Sequence, residues 1–242
     1  PPWKRLIAGQ VFSPGVGVYR HLDHAIAGGA QNQIVQPFFE LGQLADGAQA
    51  LYLFYRSIER RGAFFGLQVL PRFGQRVALR QYFQGKPVIL LLGYFQCPNL
   101  CPLEREGLVH ALQQVKFTVG KDFDVVMISI DPKETPAMAA TAKQQSIATY
   151  ARPGAEKGWH FLTGDHAAID RVADAVGFRY AYNPVQQEYA HASGVIILTP
   201  AGKIARYLFG IEYAPLDLRL GLVEAAANQI GSPVDQTALV RR

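Results

Sequence analysis

The chain has only two cysteines among its 242 residues, too few for a small disulfide-rich fold or a four-cysteine zinc module. It also lacks any apolar run close to the ~20 residues that a membrane helix requires. Charged residues make up 18% of the chain and hydrophobic residues 49%, which excludes a disordered chain. The net charge of +5 comes from scattered basic residues, so the sequence shows no concentrated footprint for nucleic acid.

Composition divides the chain into three parts. Residues 1–65 carry Gly-rich and polar patches without sustained alternation, and we interpret them as an N-terminal extension with one predicted helix at 45–61. Residues 66–230 contain sharp secondary-structure signals and form the main predicted domain. Residues 231–242 are interpreted as a C-terminal tail. Because the chain begins with Pro1 rather than Met, we expect a processed or trimmed product, in which any signal or anchor would be missing from view.

Within the main domain, strand patterns alternate with helix patterns. Strands are predicted at 67–70, 76–79, 88–95, 123–130, 159–162, 194–199 and 203–209, and helices at 102–115, 136–150, 165–177 and 215–228. Two of these strands, 88–95 and 123–130, are continuously apolar, as in strands buried on both faces, so we expect them to be neighbouring parallel central strands. The pattern predicts an α/β domain with a central, mostly parallel sheet, helices on both faces and a C-terminal hairpin and helix.

The two cysteines lie at the end of a predicted buried strand, in the segment Cys97-Pro98-Asn99-Leu100-Cys101 that leads into a helix. A helix N-terminus lowers a thiol pKa and favours the thiolate. Thiolates serve both disulfide exchange and the binding of soft metals, so the residues alone leave both chemistries open. Pro98 and Pro102 indicate that the pair lies in an adaptable loop with the helix beginning after Cys101.

Several segments of this chain resemble the Sco/SenC copper proteins, which have a thioredoxin-like fold. The first is Gly93-Tyr94-Phe95-Gln96-Cys97-Pro98-Asn99-Leu100-Cys101-Pro102. The others, in the same order along the chain, are Ile128-Ser129-Ile130-Asp131-Pro132-Lys133-Glu134-Thr135-Pro136, Trp159-His160-Phe161-Leu162-Thr163-Gly164, Val176-Gly177-Phe178-Arg179-Tyr180 and His191-Ala192-Ser193. The resemblance covers about two thirds of the chain.

The resemblance implies a copper site whose ligands are Cys97, Cys101 and His191. Two thiolates and an imidazole suit Cu(I) and can accept Cu(II), with zinc as a competing metal for the same ligands. The chain departs from the family pattern at Asn99 and Ala190, where relatives usually have aspartate. Fewer carboxylates near the metal would leave the site less negative.

The resemblance also implies a role and a location. Such proteins deliver copper to the CuA site of cytochrome c oxidase, or reduce the cysteines of that site, together with other copper chaperones or thiol reductants. We therefore expect a metallochaperone first, with thiol–disulfide reductase activity left open, facing the periplasm or the mitochondrial intermembrane space from a membrane anchor absent from this chain. The alternatives are a metal-free thiol–disulfide oxidoreductase or peroxide reductase, and a redox or copper sensor.

The remaining candidate ligands receive other interpretations. His21 and His24 are three positions apart in a Gly-rich polar segment and are expected to be solvated. We expect Tyr94 and Phe95 to be core residues that shield the cysteines. The other histidines are expected at the surface or in a second layer: His110, His160 and His166. The two methionines, Met127 and Met138, are too isolated for a methionine-type copper site.

Overall fold

The computed structural model describes residues 68–69 and 77–230. The predicted extension at 1–65, with its helix, His21 and His24, lies outside the described residues, as do the predicted turn at 71–74 and the tail at 231–242. The strands are β1 (Gln68–Val69), β2 (Val77–Ala78), β3 (Val88–Gly93), β4 (Asp124–Ser129), β5 (Trp159–Leu162), β6 (Tyr180–Asn183), β7 (Glu188–His191), β8 (Gly194–Leu198) and β9 (Ile204–Phe209). The helices are α1 (Leu100–Gln114), α2 (Pro136–Tyr150), α3 (His166–Ala175) and α4 (Pro215–Ala226), with short 3₁₀ turns at Leu79–Tyr82 and Ala155–Gly158.

A five-stranded sheet in the order β5-β4-β3-β8-β9 forms the centre of the described domain. The β3–β4 and β4–β5 pairs are parallel, whereas β8 runs antiparallel to both β3 and β9. Strands β3, β4, β5 and β9 therefore point the same way. This confirms the predicted mostly parallel sheet, the predicted pairing of strands 88–95 and 123–130, and the C-terminal hairpin.

Every residue of β3 and β4 is buried, including the polar residues Asp124 and Ser129 at the two ends of β4. Alternate side chains of β3 point to opposite faces. Ile89 and Leu91 join a core cluster with α1, α2 and α4, while Leu90 and Leu92 join a second cluster with α3 and the first 3₁₀ turn. Helices thus cover both faces of the sheet, as predicted.

The helix α1 begins at Leu100, two residues earlier than predicted. The prediction relied on Pro102 as the first helical residue, but a proline is also tolerated at the third position of a helix. The first N–H groups of a helix have no partner within it, so the missing N–H of proline costs no hydrogen bond there. Cys101 consequently lies in the first turn of α1, and only Cys97 lies in the loop.

The sequence patterns did not predict the hairpin of β6 and β7. These strands pair only with each other among the described residues and form a separate two-stranded sheet. Each strand has only four residues, most of them half-buried, so neither produces the apolar run that marks a central strand. The sequence feature that indicates a hairpin here is the set of tyrosines on either side of a polar turn: Tyr180, Tyr182 and Tyr189.

Within the described residues, no helix is both long enough and apolar enough to cross a membrane.

Candidate metal and thiol site

The two cysteines lie where the central strand β3 ends and α1 begins. The chain leaves β3 at Gly93, turns so that the Cys97 N–H donates to the Tyr94 carbonyl at 3.5 Å, and enters α1 at Leu100. Both thiols are free, and both belong to the core cluster on the α3 face. Cys101 is 1% exposed and Cys97 is 8% exposed, so Cys97 is the thiol closer to solvent.

His191 reaches this pair from the end of β7, 90 positions beyond Cys101. Its Nε2 lies 3.1 Å from the Cys101 Sγ. Gly93 forms the floor beneath the contact, because a Cβ added there would lie 3.4 Å from the Cys101 Sγ and 3.9 Å from the His191 Cε1. A larger side chain at this position would fill the space that the sulfur and the imidazole share.

The hydrogen bonds of His191 determine its tautomer. Nδ1 lies 3.1 Å from the carbonyl oxygen of Ala192, and a carbonyl only accepts, so Nδ1 carries the proton and donates. Burial lowers the pKa of His191, although the Ala192 carbonyl opposes this effect, so the ring is neutral at neutral pH. Nε2 is therefore an unprotonated lone pair facing a sulfur, which is the form in which histidine binds metals.

The pKa values of the two thiols are shifted in opposite directions. Burial would raise the pKa of Cys97, but hydrogen bonds with the Tyr94 side chain and with the backbone of Cys101 and Asn99 outweigh it and leave this pKa below its usual value. Burial raises the pKa of Cys101 far above the usual range, and interaction with Cys97 raises it further. Cys97 is thus the thiol that ionises first, and Cys101 retains its proton.

A buried carboxylate holds the loop that carries Cys97. Glu134 accepts hydrogen bonds from the backbone N–H of Phe95 at 2.8 Å and of Gln96 at 2.6 Å, and from the Ser129 hydroxyl at 2.6 Å. Because these partners follow β3 and end β4, Glu134 joins the cysteine loop to the end of the neighbouring strand. Sequence reasoning quoted this residue within a family stretch but assigned it no role.

A second buried carboxylate connects α1 to the segment after His191. Glu104, one helical turn beyond Cys101, accepts from the Gly194 N–H at 2.7 Å and interacts with the Tyr213 hydroxyl. Burial raises its pKa to about 8. The motifs of the sequence indicate no role for Glu104, although an acidic residue one turn into a helix that starts at a cysteine pair is a feature visible in the sequence.

Several contacts hold the hairpin of β6 and β7 against the cysteine loop. The Asn99 side-chain amide donates to Glu188 at 2.8 Å, and the Tyr94 and Tyr189 rings make an edge contact with centroids 5.6 Å apart. On the His191 side, the Phe178 ring lies 5.6 Å from the imidazole. Tyr94 and Phe95 are buried, which confirms that they are core residues, and Tyr94 shares the core cluster of the two thiols.

The other candidate ligands lie apart from this site or serve the core. Met127 is buried in the cluster that α1, α2 and α4 share, and the exposed His110 and His166 face Glu106 and Asp170 on their own helices. His160 packs against Tyr82 with ring centroids 4.5 Å apart and the ring planes tilted by 41°. Burial lowers the pKa of His160 to about 4, so this ring is a packed second-layer residue.

In the part of the chain that the structure describes, no three His, Cys, Asp or Glu side chains are arranged closely enough to hold a metal ion as they stand. Cys101 contacts His191 and also interacts with the thiol of Cys97. Cys97 lies in the loop rather than in α1, and a donor set of two sulfurs and one imidazole nitrogen suits a soft metal.

A thiol pair between the end of a central strand and a helix, on a sheet of this topology, defines a thioredoxin-like protein. The family model described as SCO1/SenC matches residues 68–215, more than half of the chain. The chain therefore belongs to the SCO1/SenC family, as the motifs indicated.

Curated relatives agree with this assignment. The human mitochondrial SCO1 homolog is 25% identical over 139 residues, which make up 55% of this chain and 43% of that protein. The mitochondrial SCO2 homolog of Bos taurus is 28% identical over 137 residues, 54% of this chain and 48% of that protein. The matched segment thus spans less than half the length of these relatives.

Solved structures support the fold. A candidate electron-transfer protein from Aquifex aeolicus VF5 superimposes with a TM-score of 0.59 at 26% identity, covering 68% of this chain and 92% of that one. The Arabidopsis thaliana ScoI structure with copper bound gives a TM-score of 0.55 at 23% identity, covering 69% of this chain and 99% of that one. The thioredoxin-like fold predicted from the motifs is confirmed.

Proposed function

We propose that this protein binds one copper ion through Cys97, Cys101 and His191. The observation that supports this proposal most directly is the 3.1 Å contact between the Cys101 Sγ and an unprotonated His191 Nε2. Two sulfurs and one imidazole match the preference of Cu(I) for soft and intermediate donors. The copper-bound state of the Arabidopsis relative supports the same choice of metal over zinc.

We further propose that the copper is cargo, delivered to the CuA site of cytochrome c oxidase. Exposed apolar side chains on the elements that carry the site support docking of a protein partner there: Leu100, Leu103, Tyr182, Val185 and Phe209. The first two flank Cys101, the next two lie on the β6–β7 hairpin, and Phe209 pairs with Gly194. Exposed apolar side chains that surround a reactive site are typical of protein interfaces.

The experiment is an anaerobic Cu(I) titration of the reduced protein in competition with a chelator. We expect one copper per chain, and a loss of affinity of more than about tenfold in His191→Ala, since losing a ligand costs more than losing its hydrogen-bond partner. His110→Ala is the matched control, because His110 is an exposed histidine that faces Glu106 on its own helix. Equal copper affinity in the wild type and in His191→Ala would refute the shared site.

A second role, reduction of the partner's cysteines, is supported by the opposite pKa shifts of the two thiols. A thiol of lowered pKa attacks a disulfide, and its neighbour then resolves the mixed disulfide, leaving the substrate reduced and this pair oxidised. His191→Ala discriminates between the roles. Disulfide exchange should persist in this variant while copper binding is lost, whereas a protein that acts by copper transfer alone should reduce the partner's cysteines neither as wild type nor as His191→Ala.

For location and organisation, we propose a site that faces the periplasm or the mitochondrial intermembrane space, with residues 66–230 as the functional domain. The mitochondrial location of the human and bovine relatives and the lipoprotein nature of a Bacillus anthracis family member support attachment to a membrane. Fractionation of cells that express the complete natural protein tests this placement.

A further inference from the structure

Two polar contacts hold the strand β7 to the cysteine segment, one at each end of the strand. His191, its last residue, lies 3.1 Å from the Cys101 Sγ through Nε2. Glu188, its first residue, accepts a hydrogen bond from the Asn99 side-chain amide at 2.8 Å. The two positions are three residues apart, or about 10 Å along a strand. Because the strand is held at both ends, the Glu188 contact fixes its tilt and so the direction in which the imidazole points.

The hairpin of β6 and β7 depends on side-chain contacts of this kind for its orientation. Within the described ranges, the two strands pair only with each other, so no strand ladder joins them to the five-stranded sheet. An isolated two-stranded hairpin is marginally stable in water. The Tyr180 hydroxyl donates to Asp170 on α3 at 2.6 Å, which anchors β6. The Asn99 contact anchors β7, the strand that carries the histidine.

Asn99 belongs to the thiol segment as well as to this contact. Its backbone N–H donates to the Cys97 Sγ at 3.4 Å, while its side chain reaches Glu188. A single residue therefore connects one sulfur to the strand that ends at His191. We propose that Asn99 and Glu188 are positioning residues, whose hydrogen bond holds His191 in register with the two cysteines. This role rests on the proposed copper site, for which it names the contact that sets the ligand geometry.

The chemistry of the pair is directional. An amide NH₂ donates, whereas a carboxylate only accepts, so Asn99 and Glu188 are complementary as they stand. An aspartate at position 99 would put two negative charges face to face, and like charges at hydrogen-bond distance repel. Asn99 is exposed and Glu188 is half-buried, so water screens part of the interaction. We therefore expect effects of a few-fold rather than of several orders of magnitude.

The first test exchanges the donor and the acceptor and needs no metal. In the reduced, metal-free full chain, deuterium uptake by the amides of residues 188–191 reports how often β7 lifts away. Asn99→Asp should speed this uptake about threefold to tenfold. Asn99→Asp combined with Glu188→Gln restores one donor and one acceptor at the net charge of the wild type, and should return uptake to within about twofold of it. Unchanged uptake in Asn99→Asp, or no recovery in the combined variant, would overturn the proposal.

The second test measures copper binding in the anaerobic chelator competition. Asn99→Ala and Glu188→Ala should each weaken Cu(I) binding about threefold to tenfold. The double variant should be no weaker than either single variant, because both changes remove the same hydrogen bond. Glu156→Gln, which removes an exposed carboxylate in the second 3₁₀ turn, is the control and should change nothing. Losses that multiply in the double variant would show that the two residues act separately and would contradict a shared contact.

Failure of the positioning role and failure of the copper site give different results. A wild-type chain that binds no copper would refute the proposed function, whereas full copper binding in all three alanine variants would refute the positioning role alone. Deuterium uptake by β3 separates positioning from a loss of stability, since its amides exchange only when the sheet opens. Weaker copper binding together with faster uptake in β3 would show that the variants merely destabilise the fold, and would overturn the assignment.

Discussion

The difference in acidity between Cys97 and Cys101 predicts a difference in reactivity. At pH 7 iodoacetamide should modify Cys97 many times faster than Cys101, because the hydrogen bonds around Cys97 favour its thiolate and burial keeps Cys101 protonated. Mass spectrometry of the alkylated peptides over a time course measures both rates. Cys101→Ser should still react at Cys97, whereas Cys97→Ser should be nearly inert; preferential labelling of Cys101 would contradict the assignment.

The buried carboxyl of Glu104 predicts a pH dependence of stability. Its pKa is raised from 4.5 to about 8 by burial, so between these values the folded state binds more protons than the unfolded state. Stability from this group is complete below pH 4.5 and is lost as the pH rises toward 8. Glu104→Gln keeps an acceptor for the Gly194 N–H and removes the titration.

We therefore expect Glu104→Gln to flatten the fall of Tm between pH 5 and 8 and to be more stable than the wild type at pH 8, by about 2 kcal/mol. Thermal unfolding at a series of pH values tests this. Glu106→Gln, an exposed carboxyl in the same helix, is the control and should leave the slope unchanged. Parallel curves for the wild type and Glu104→Gln would show that Glu104 is ionised throughout.

At the scale of elements, the loop between β3 and α1 depends on Glu134. Replacing it by Gln puts an amide NH₂ where two backbone N–H groups and the Ser129 hydroxyl now donate to carboxylate oxygens. One donor loses its acceptor, which should cost about 1–3 kcal/mol of unfolding free energy. The Cys97 loop should also become less ordered, and copper affinity should fall about tenfold.

Urea unfolding and the chelator-competition titration measure the two effects of Glu134→Gln. Glu156→Gln, at an exposed position in the second 3₁₀ turn, should change neither. A variant that loses stability but keeps full copper affinity would show that Glu134 supports the fold without positioning Cys97.

The secondary-structure elements differ in how well they could be predicted from the sequence. The central strands could be predicted because burial on both faces makes β3, and β4 between Asp124 and Ser129, continuously apolar. The first residues of helices could be predicted where a side chain caps the N-terminus, as Thr135 does for α2 and Asp165 for α3. The β6–β7 hairpin was not readable, because its stability comes from contacts with Tyr94, Asn99 and other residues distant in sequence.

The residues of the proposed site could be named from the sequence, but the contacts around them could not. Cys97, Cys101 and His191 could be named from motifs, and the structure brings His191 to Cys101. The roles of Glu104 and Glu134 depend on which backbone N–H groups happen to face them after folding. No local sequence pattern encodes contacts between residues so far apart in the chain. The roles of Glu104 and Glu134 therefore become apparent only in the folded structure.

At the scale of the whole molecule, we predict that residues 66–230 fold alone. The five-stranded sheet, its four helices and both core clusters lie within this range. A fragment with these bounds should unfold cooperatively, with a Tm within a few degrees of the full chain and the same copper stoichiometry. Calorimetry of the fragment and the full chain compares them, and a fragment that fails to unfold cooperatively would show that the domain boundary is wrong.

Hydrogen exchange in the hairpin of β6 and β7 should depend on whether a metal is bound to His191. Amides in β3 can exchange with deuterated water only when the whole sheet opens, whereas those of residues 180–191 need only the hairpin to lift away. A metal that joins His191 to the loop and the helix would close this local route. Deuterium uptake by a single peptide could then report occupancy, even for a metal such as Cu(I) that has no colour.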